Sequence, residues 1–404
     1  MKPQVVVIGG GPAGAATALT LARAGVSVII FEKETSSGWK IGEGLPPAAR
    51  PMLQQLGVWE RFVADGHLPS YGNCSAWGSG ELVDHSFVFN PHGNGWHLDR
   101  SRFDRMLLDA AIEAGAQVFS DITVTDVQRM NSGWRLELGR NQFTAEAQRT
   151  QRPRRDSEET LCEPSATLCA SAVKKDDLME PISSPADALS ADFVVDASGR
   201  NSWFARRQGA RRINHDNLVG VAALLIAGGE VADRDSLTMV EAVADGWWYA
   251  ALLPDEKLVA VFLSDADLEV TRQAATVQGW RSLLAETEHL RKRVERHGYQ
   301  IELAPHLISA NSSRLDVVAG NSWLAVGDAA AAFDPLSSQG IVTALEFGIL
   351  TAEAILAGER EALKTYSERL EQKFAAYLAN RNFYYSQERR WPASTFWRRR
   401  HSAS

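Results

Sequence analysis

Cysteine is nearly absent: Cys74, Cys162 and Cys169 are the three in 404 residues. They are too few and too scattered for a disulfide framework. Cys162 and Cys169 stand in a polar segment without a neighbouring histidine. That is not a metal-ligand spacing, so neither a metal site nor cysteine chemistry is expected. Long apolar runs are lacking too. The nearest, Leu218 to Ala227, is about half of the ~18 residues a membrane span needs. The chain enters its first strand at Val5, which leaves no room for a signal peptide, and a cytoplasmic protein is expected. Basic residues are not in excess: 42 Lys and Arg face 50 Asp and Glu, a formal net charge of -8, which argues against a general nucleic-acid binder. No internal repeat is visible, and no lysine occurs between Lys40 and Lys174. What remains is an ordinary globular composition, 45% hydrophobic and 23% charged, at a length that allows two domains.

The organising stretch is the N-terminus. Val5, Val6, Val7 and Ile8 read as a strand buried on both faces. Gly9, Gly11 and Gly14 meet the G-x-G-x-x-G spacing, small and aliphatic residues follow at helical spacing from Ala15 to Ala24, and a second apolar run ends in Phe31 and Glu32. This β-α-β unit with an acid at its end is the geometry of a dinucleotide fold. Gly9 allows the tight turn, Gly11 lets backbone approach a pyrophosphate, and Gly14 lets the helix sit close to the sheet. Pro12 and Ala13 open the helix, whose N-terminus offers N–H groups to phosphates. Glu32, followed by Lys33, would accept hydrogen bonds from a ribose.

Further along, Trp39 to Pro47 is a Gly- and Pro-punctuated loop and Pro51 to Leu56 a helix. A helix is expected at Phe103 to Ala114, then strands at Gln117 to Val127 and Trp134 to Leu138, as a small sheet laid on the nucleotide domain. Residues from about 142 to 190 mix charge, Ser, Pro and Ala without period and read as an insertion, partly mobile, in a hairpin of that sheet. Asp192 to Arg200 is another buried strand and turn. Strands at Val219 to Ile226, Leu237 to Val243, Trp247 to Leu253 and Leu258 to Leu263 suffice for an antiparallel sheet of a second domain. Helices follow at Val270 to Ala285 and Glu288 to Arg296, then a strand at Trp323 to Asp328, and helices at Gly340 to Ala357 and Ala362 to Arg390.

Three separated motifs combine: the N-terminal glycine turn, Asp196-Ala197-Ser198-Gly199-Arg200, and Gly327-Asp328 followed by Asp334-Pro335-Leu336-Ser337-Ser338-Gln339-Gly340-Ile341. This set resembles the FAD-binding pattern of the flavoprotein monooxygenase superfamily, which includes flavin-dependent halogenases and geranylgeranyl reductases. The resemblance implies an α/β fold: a Rossmann-like FAD-binding domain of the para-hydroxybenzoate hydroxylase type, an antiparallel β-sheet substrate domain, and C-terminal helices. The expected partition is 1–75, 97–205 and 308–360 for the FAD domain, 76–96 and 206–307 for the substrate domain, and 361–404 for the C-terminal helix and tail. By the same resemblance Gly327 and Asp328 would contact the ribityl or ribose hydroxyls of FAD. Pro335, Gly340 and Ile341 would bring a helix N-terminus toward the pyrimidine edge of the flavin, where reduced flavin carries negative charge. Arg100 would lie along the cofactor or at the interdomain cleft; the plainer reading is an ion pair with Asp104, one helical turn on.

Where halogenases carry W-x-W-x-I-P, counted back from Pro254, this chain has Tyr249 and Ala251 at the two tryptophan positions. Halogenases also need an active-site lysine after their G-E motif, in a region that here has none, so halogenation is disfavoured. The segment Gly246-Trp247-Trp248-Tyr249, the Asp334 to Gly340 turn and the Arg389 to Arg400 tail resemble the flavoproteins that mature quinone-cofactor amino-acid oxidases and amine dehydrogenases. Those help to oxygenate a tryptophan of a partner enzyme to build cysteine tryptophylquinone. The implied activity is FAD-dependent monooxygenation of an indole- or tryptophan-type ring by O2. No second dinucleotide motif occurs, so electrons come from transiently bound NAD(P)H or from a separate reductase. Trp247, Trp248 and Tyr249 would line the substrate side, with Trp247 and Tyr249 on one face of the strand and Trp248 on the other; core packing is the competing reading. Glu43, His97 and Asp334, each beside a Gly- or Pro-rich turn, are candidate acid/base groups together with Tyr249. A geranylgeranyl-reductase-like flavin reductase and a non-catalytic flavin-binding maturation chaperone, with the basic aromatic tail docking a partner, are the alternatives.

Overall fold

The computed structural model describes residues 4–33, 39–140 and 188–402. Val5, Val6 and Val7 are fully buried and Ile8 nearly so, and the strand Gln4–Ile8 sits inside a six-stranded sheet. Ser27–Glu32 and Phe193–Asp196 flank it in parallel; Gln117–Ser120 continues on one side and Trp323–Ala325 on the other. A parallel sheet needs crossover helices on its faces, and Pro12–Arg23, Arg100–Glu113 and Gly340–Ala357 supply them. Helix Gly340–Ala357 lies so close to Pro12–Arg23 that a Cβ on Gly348 would stand 2.8 Å from both the Ala13 carbonyl oxygen and the Ala16 methyl group. This helix has a mean hydropathy of 1.7 over 18 residues, enough by length and composition to cross a bilayer. A count of uninterrupted apolar runs misses it, because Thr343, Glu346, Thr351 and Glu353 interrupt it. Its apolar residues pack in the core instead.

A seven-stranded sheet forms the second layer. Its order is Tyr299–Ser309, Leu218–Ala227, Leu258–Asp265, Gly246–Leu252, Thr238–Val243, Gly72–Ala76 and Val83–Ser86. Neighbours are antiparallel except Thr238–Val243 beside Gly72–Ala76. One face packs Trp248 and Phe262 on Trp280 and the helices around it; the other packs Trp247 and Leu263 on Tyr385 and Trp397. The 28-residue helix Arg360–Gln387 and the short helix Thr395–His401 close that side.

Several expectations need correction. The stretch expected as one strand from Gln117 divides: Gln117–Ser120 joins the large parallel sheet, and only Ile122–Arg129 joins the small one with Trp134–Arg140 and Ala188–Ala191. Asp121, at a positive φ of 61°, makes the break. The helix expected from Val270 to Ala285 is two, Glu269–Ala274 and Val277–Ala285, because the Thr276 side chain accepts the Gly279 N–H and starts the second. The expected boundaries at 75/76 and 307/308 fall inside strands of the seven-stranded sheet. The expected insertion about 142–190, with Cys162 and Cys169, falls almost wholly outside the described residues; Ala188 at its end already pairs with Glu137.

Candidate functional site

Between the two sheets lies a cavity of about 400 Å³. Two helix N-termini, 328 residues apart from Pro12 to Gly340, face it, and neither has a side-chain cap. Their first-turn N–H groups are donors in search of an anion or a carbonyl. At the first, Gly9 has φ 108° and a Cβ there would stand 2.3 Å from the Ala197 carbonyl oxygen. A Cβ on Gly14 would stand 2.0 Å from the Gly9 carbonyl oxygen, so the helix can start here only as glycine. Gly11 differs: a Cβ there meets nothing within 4 Å, because it would project into the cavity. The space over Gly11 is therefore a cradle that a side chain would fill. Glu32, at the end of the neighbouring strand, accepts the Gly10 N–H.

Of the residues expected to hold a cofactor, Gly11 to Gly14, Arg100, Asp328, Pro335, Gly340 and Ile341 line the cavity. Gly9, Glu32, Lys33 and Gly327 do not. Gly9 and Gly327 shape the backbone beside it; a Cβ on Gly327 would sit 2.7 Å from Ala13 Cβ. Arg100 fits both of its readings at once. Its Nη1 donates to the Ile41 and Gly42 carbonyls at 2.9 and 3.2 Å, and its Nη2 pairs with Asp104 at 3.2 Å. It thus ties the loop over the cavity to a helix. Arg200, not singled out from sequence, lines the cavity too and pairs through Nε with Asp328 at 3.4 Å. Its place in the Asp196 to Arg200 motif was the available signal. Asp196 is the buried anchor of that turn, accepting from Ser198 N, Ser198 Oγ and Ala205 N. Burial nevertheless pushes its carboxyl up.

The candidate acid/base groups separate clearly. Glu43 and Tyr249 line the cavity and hydrogen-bond each other. Glu43 also accepts the Gly42 N–H at 3.0 Å. Burial raises the Glu43 carboxyl above the ordinary range, against the pull of Tyr249, Gly42 and Arg100, and it pushes the Tyr249 phenol up as well. Asp334 lines the cavity but is committed: it accepts from Tyr385 Oη at 2.8 Å, Arg381 Nε at 3.2 Å and Leu336 N at 2.9 Å. Burial raises it, with Arg381 opposing. His97 is not at the cavity. The Leu252 carbonyl can only accept, so His97 Nδ1 donates to it at 2.8 Å, which leaves Nε2 to accept from Thr238 Oγ1 at 2.9 Å. With its pKa pushed down to about 4 by burial, it is a neutral strut between strands.

The aromatic strand also divides. Tyr249 reaches the cavity; Trp247 is buried behind it, donating through Nε1 to Tyr385 Oη at 3.0 Å. Trp248 lies on the opposite face against Trp280. The strand alternation is as expected, but core packing is the reading that holds for both tryptophans. The basic tail is largely neutralised within the chain: Arg399 and Arg400 pair with Asp265 and Arg390 with Glu388.

A family model described as tryptophan halogenase matches residues 170–404, more than half of the chain, and one described as FAD binding domain matches residues 2–148. The chain belongs to the tryptophan halogenase family. This family member is an FAD-dependent oxidoreductase, and FAD is its cofactor. It is 29% identical over 404 residues to the putative FAD-dependent oxidoreductase LodB of Marinomonas mediterranea, covering 99% of this chain and 97% of that one. It is 26% identical to the flavin-dependent halogenase armH3 of Armillaria mellea, covering 94% and 73%. Among solved structures its fold matches CmlS, a flavin-dependent halogenase, with TM-score 0.77 at 24% identity, covering 99% and 68%. It also matches QhpG, a peptidyl tryptophan dihydroxylase essential for tryptophylquinone cofactor biogenesis, with TM-score 0.66 at 24% identity, covering 99% and 79%. The cradle over Gly11, the two uncapped helices and Asp328 with Arg200 fit such a cofactor.

Proposed function

We propose that this family member hydroxylates an electron-rich aromatic ring of the indole type, carried by a tryptophan of a partner polypeptide. The observation that carries the reading is the Glu43–Tyr249 pair in the cavity. Tyr249 occupies the position of the first tryptophan in the halogenase motif, and among the described residues no lysine lines the cavity. A halogenase without its lysine has no group to relay a hypohalous acid; a hydroxylase needs none. The likeness to QhpG in fold and to LodB over nearly the full chain supports the same reading.

Bound FAD, once reduced, supplies the two electrons that divide O2 between the substrate and water. The chain's own part is to hold the ring, keep water out and handle protons. Gly11, Ala13, Gly14 and the head of helix Gly340–Ala357 would hold and orient the cofactor through backbone N–H groups. The Ile41 to Gly44 loop, fastened by Arg100, covers the cavity. Glu43, whose carboxyl burial shifts toward its neutral form, can exchange a proton at its carboxyl oxygen, and as the carboxylate it can take the proton released from the hydroxylated ring carbon. Tyr249 holds that carboxyl in place.

The test is turnover of the FAD-loaded protein with a flavin reductase, NADH, isotopically labelled O2, chloride and bromide. Free tryptophan and a tryptophan-bearing polypeptide are offered separately. Oxygen from O2 in the aromatic product, on the polypeptide rather than the free amino acid, supports the reading; a halogenated product refutes it.

A further inference from the structure

Behind the cavity wall stands a series of aromatic rings that neither substrate nor cofactor explains. Asp334, in the wall, accepts the Tyr385 hydroxyl at 2.8 Å, and Trp247 Nε1 donates to the same hydroxyl at 3.0 Å. Ring centroids then follow at close intervals. Trp77 is 5.6 Å from Tyr385 and 6.2 Å from Trp247, Trp397 is 5.4 Å from Trp77 and 6.1 Å from Tyr385 itself, and Trp391 is stacked 6.1 Å from Trp397. Tyr385, Trp247 and Trp397 are fully buried, whereas Trp77 and Trp391 are partly exposed; Trp77 Nε1 donates to the Tyr384 carbonyl at 2.8 Å, which holds its proton in place. The rings come from a loop, a strand, the long helix and the tail, so no local pattern imposes the series. Packing alone would be served by Phe or Leu; tyrosine and tryptophan are the side chains that give up an electron most readily.

The charges around the series are ordered as well. The Tyr385 ring lies between the guanidinium groups of Arg381 and Arg400, at 4.9 and 5.0 Å, and Arg390 lies 4.3 Å over Trp391. A cation over a ring opposes a second positive charge in that ring. Oxidation at either end must therefore release a proton together with the electron, and both ends can do so: Tyr385 to Asp334, and Trp391 to water.

We propose that Tyr385, Trp77, Trp397 and Trp391 carry one-electron oxidising equivalents from the cofactor cavity to the protein surface when O2 is activated with no substrate to receive it. Tyr385 gives one electron to superoxide formed from O2 in the cavity, which takes a proton from water and leaves as hydroperoxide; the Tyr385 O–H bond breaks and its proton joins the Asp334 carboxylate. An electron from Trp397, directly or through Trp77, refills Tyr385 and the proton returns from Asp334. The vacancy passes through Trp397 to Trp391, whose Nε1–H bond breaks as its proton goes to water. A thiol in solution can then restore Trp391 by giving it a hydrogen atom. Trp247 holds the Tyr385 hydroxyl toward Asp334.

Flash photolysis of the FAD-loaded protein without substrate tests this, because light-excited oxidised FAD draws an electron from the oxidisable rings around the cavity whatever the natural substrate is, and only a series leading outward lets the vacancy settle on a tryptophan. A neutral tryptophan radical that outlasts the fast return of the electron is expected, by transient absorption and by electron paramagnetic resonance. Trp391→Phe, at the far end of the series, is expected to lose that long-lived radical while keeping FAD binding and thermal stability, whereas Trp77→Phe leaves the direct Tyr385–Trp397 contact and is expected to keep it. Trp203→Phe, on the FAD-domain side beneath Arg207, is the control and is expected to keep it. No long-lived radical in the unmodified protein, or one that persists in Trp391→Phe, overturns the proposal.

Discussion

Gly11 and Gly14 stand three residues apart, yet alanine at each should fail differently. The Gly14 Cβ would be 2.0 Å from the Gly9 carbonyl oxygen and 3.0 Å from Ala197 Cβ, with backbone on the near side that cannot rotate away. Overpacking of a rigid core costs about 1–3 kcal/mol, and Gly14→Ala belongs at the top of that range in the cofactor-free protein. Gly11 is extended, φ -65° and ψ 179°, a conformation alanine adopts freely. Gly11→Ala should leave the cofactor-free protein as stable, or up to about 1 kcal/mol more so through a less disordered unfolded chain. Its methyl group enters the space that the cofactor phosphates would use. A retreat that breaks two charge-assisted hydrogen bonds, about 1.5–3 kcal/mol each, removes about 3–6 kcal/mol. That weakens FAD binding about a hundredfold to ten-thousandfold. Thermal melts of both cofactor-free variants and FAD titrations by fluorescence quenching separate the two effects. Gly11→Ala binding FAD as tightly as the parent refutes the phosphate placement; an unchanged melt in Gly14→Ala refutes the packing argument.

Glu43→Gln keeps the shape of the cavity pair and removes its proton, so FAD should stay bound while product formation falls. Because burial raises the folded Glu43 carboxyl above 4.5, its contribution to stability is lost as pH rises from there through that raised value, and the variant should lose less stability over that rise, in melts across pH. His97 has the opposite sign. A base held at about 4 when folded and 6.5 otherwise loses stability as pH falls between those values, up to about 3 kcal/mol; His97→Gln should flatten that limb in acid melts without changing the pH dependence of kcat. Trp248→Phe should leave KM for the aromatic substrate unchanged, while Tyr249→Phe should lower kcat/KM about tenfold by freeing Glu43 from its place, both read by steady-state kinetics. Arg400→Met leaves Asp265 with Arg399 as its remaining partner, 3.0 Å away, and should cost about 3 kcal/mol in denaturant unfolding.

The sequence by itself determined the local devices. Four apolar residues, a glycine spacing and a terminal acid suffice for the first β-α-β unit, because backbone sterics and burial act over neighbouring residues there. The same holds for the helix Gly340–Ala357 and for the alternation of Trp247, Trp248 and Tyr249. Tertiary structure decided which of those residues meet. His97, Asp334 and Glu43 all stand beside Gly or Pro turns, and nothing local distinguishes them. Only the fold spends His97 between Leu252 and Thr238, ties Asp334 to Arg381 and Tyr385, and leaves Glu43 facing the cavity with Tyr249. The edge strand Tyr299–Ser309 was illegible for a related reason: Pro305 stands inside it, a residue that only an edge tolerates because an edge needs ladder bonds on one side alone. The tail reads as a basic docking arm until Asp265, 135 residues before Arg400, pairs with Arg399 and Arg400 in space. Periodicity and spacing fix what a segment can be; partners hundreds of residues away fix which side chain remains free to act.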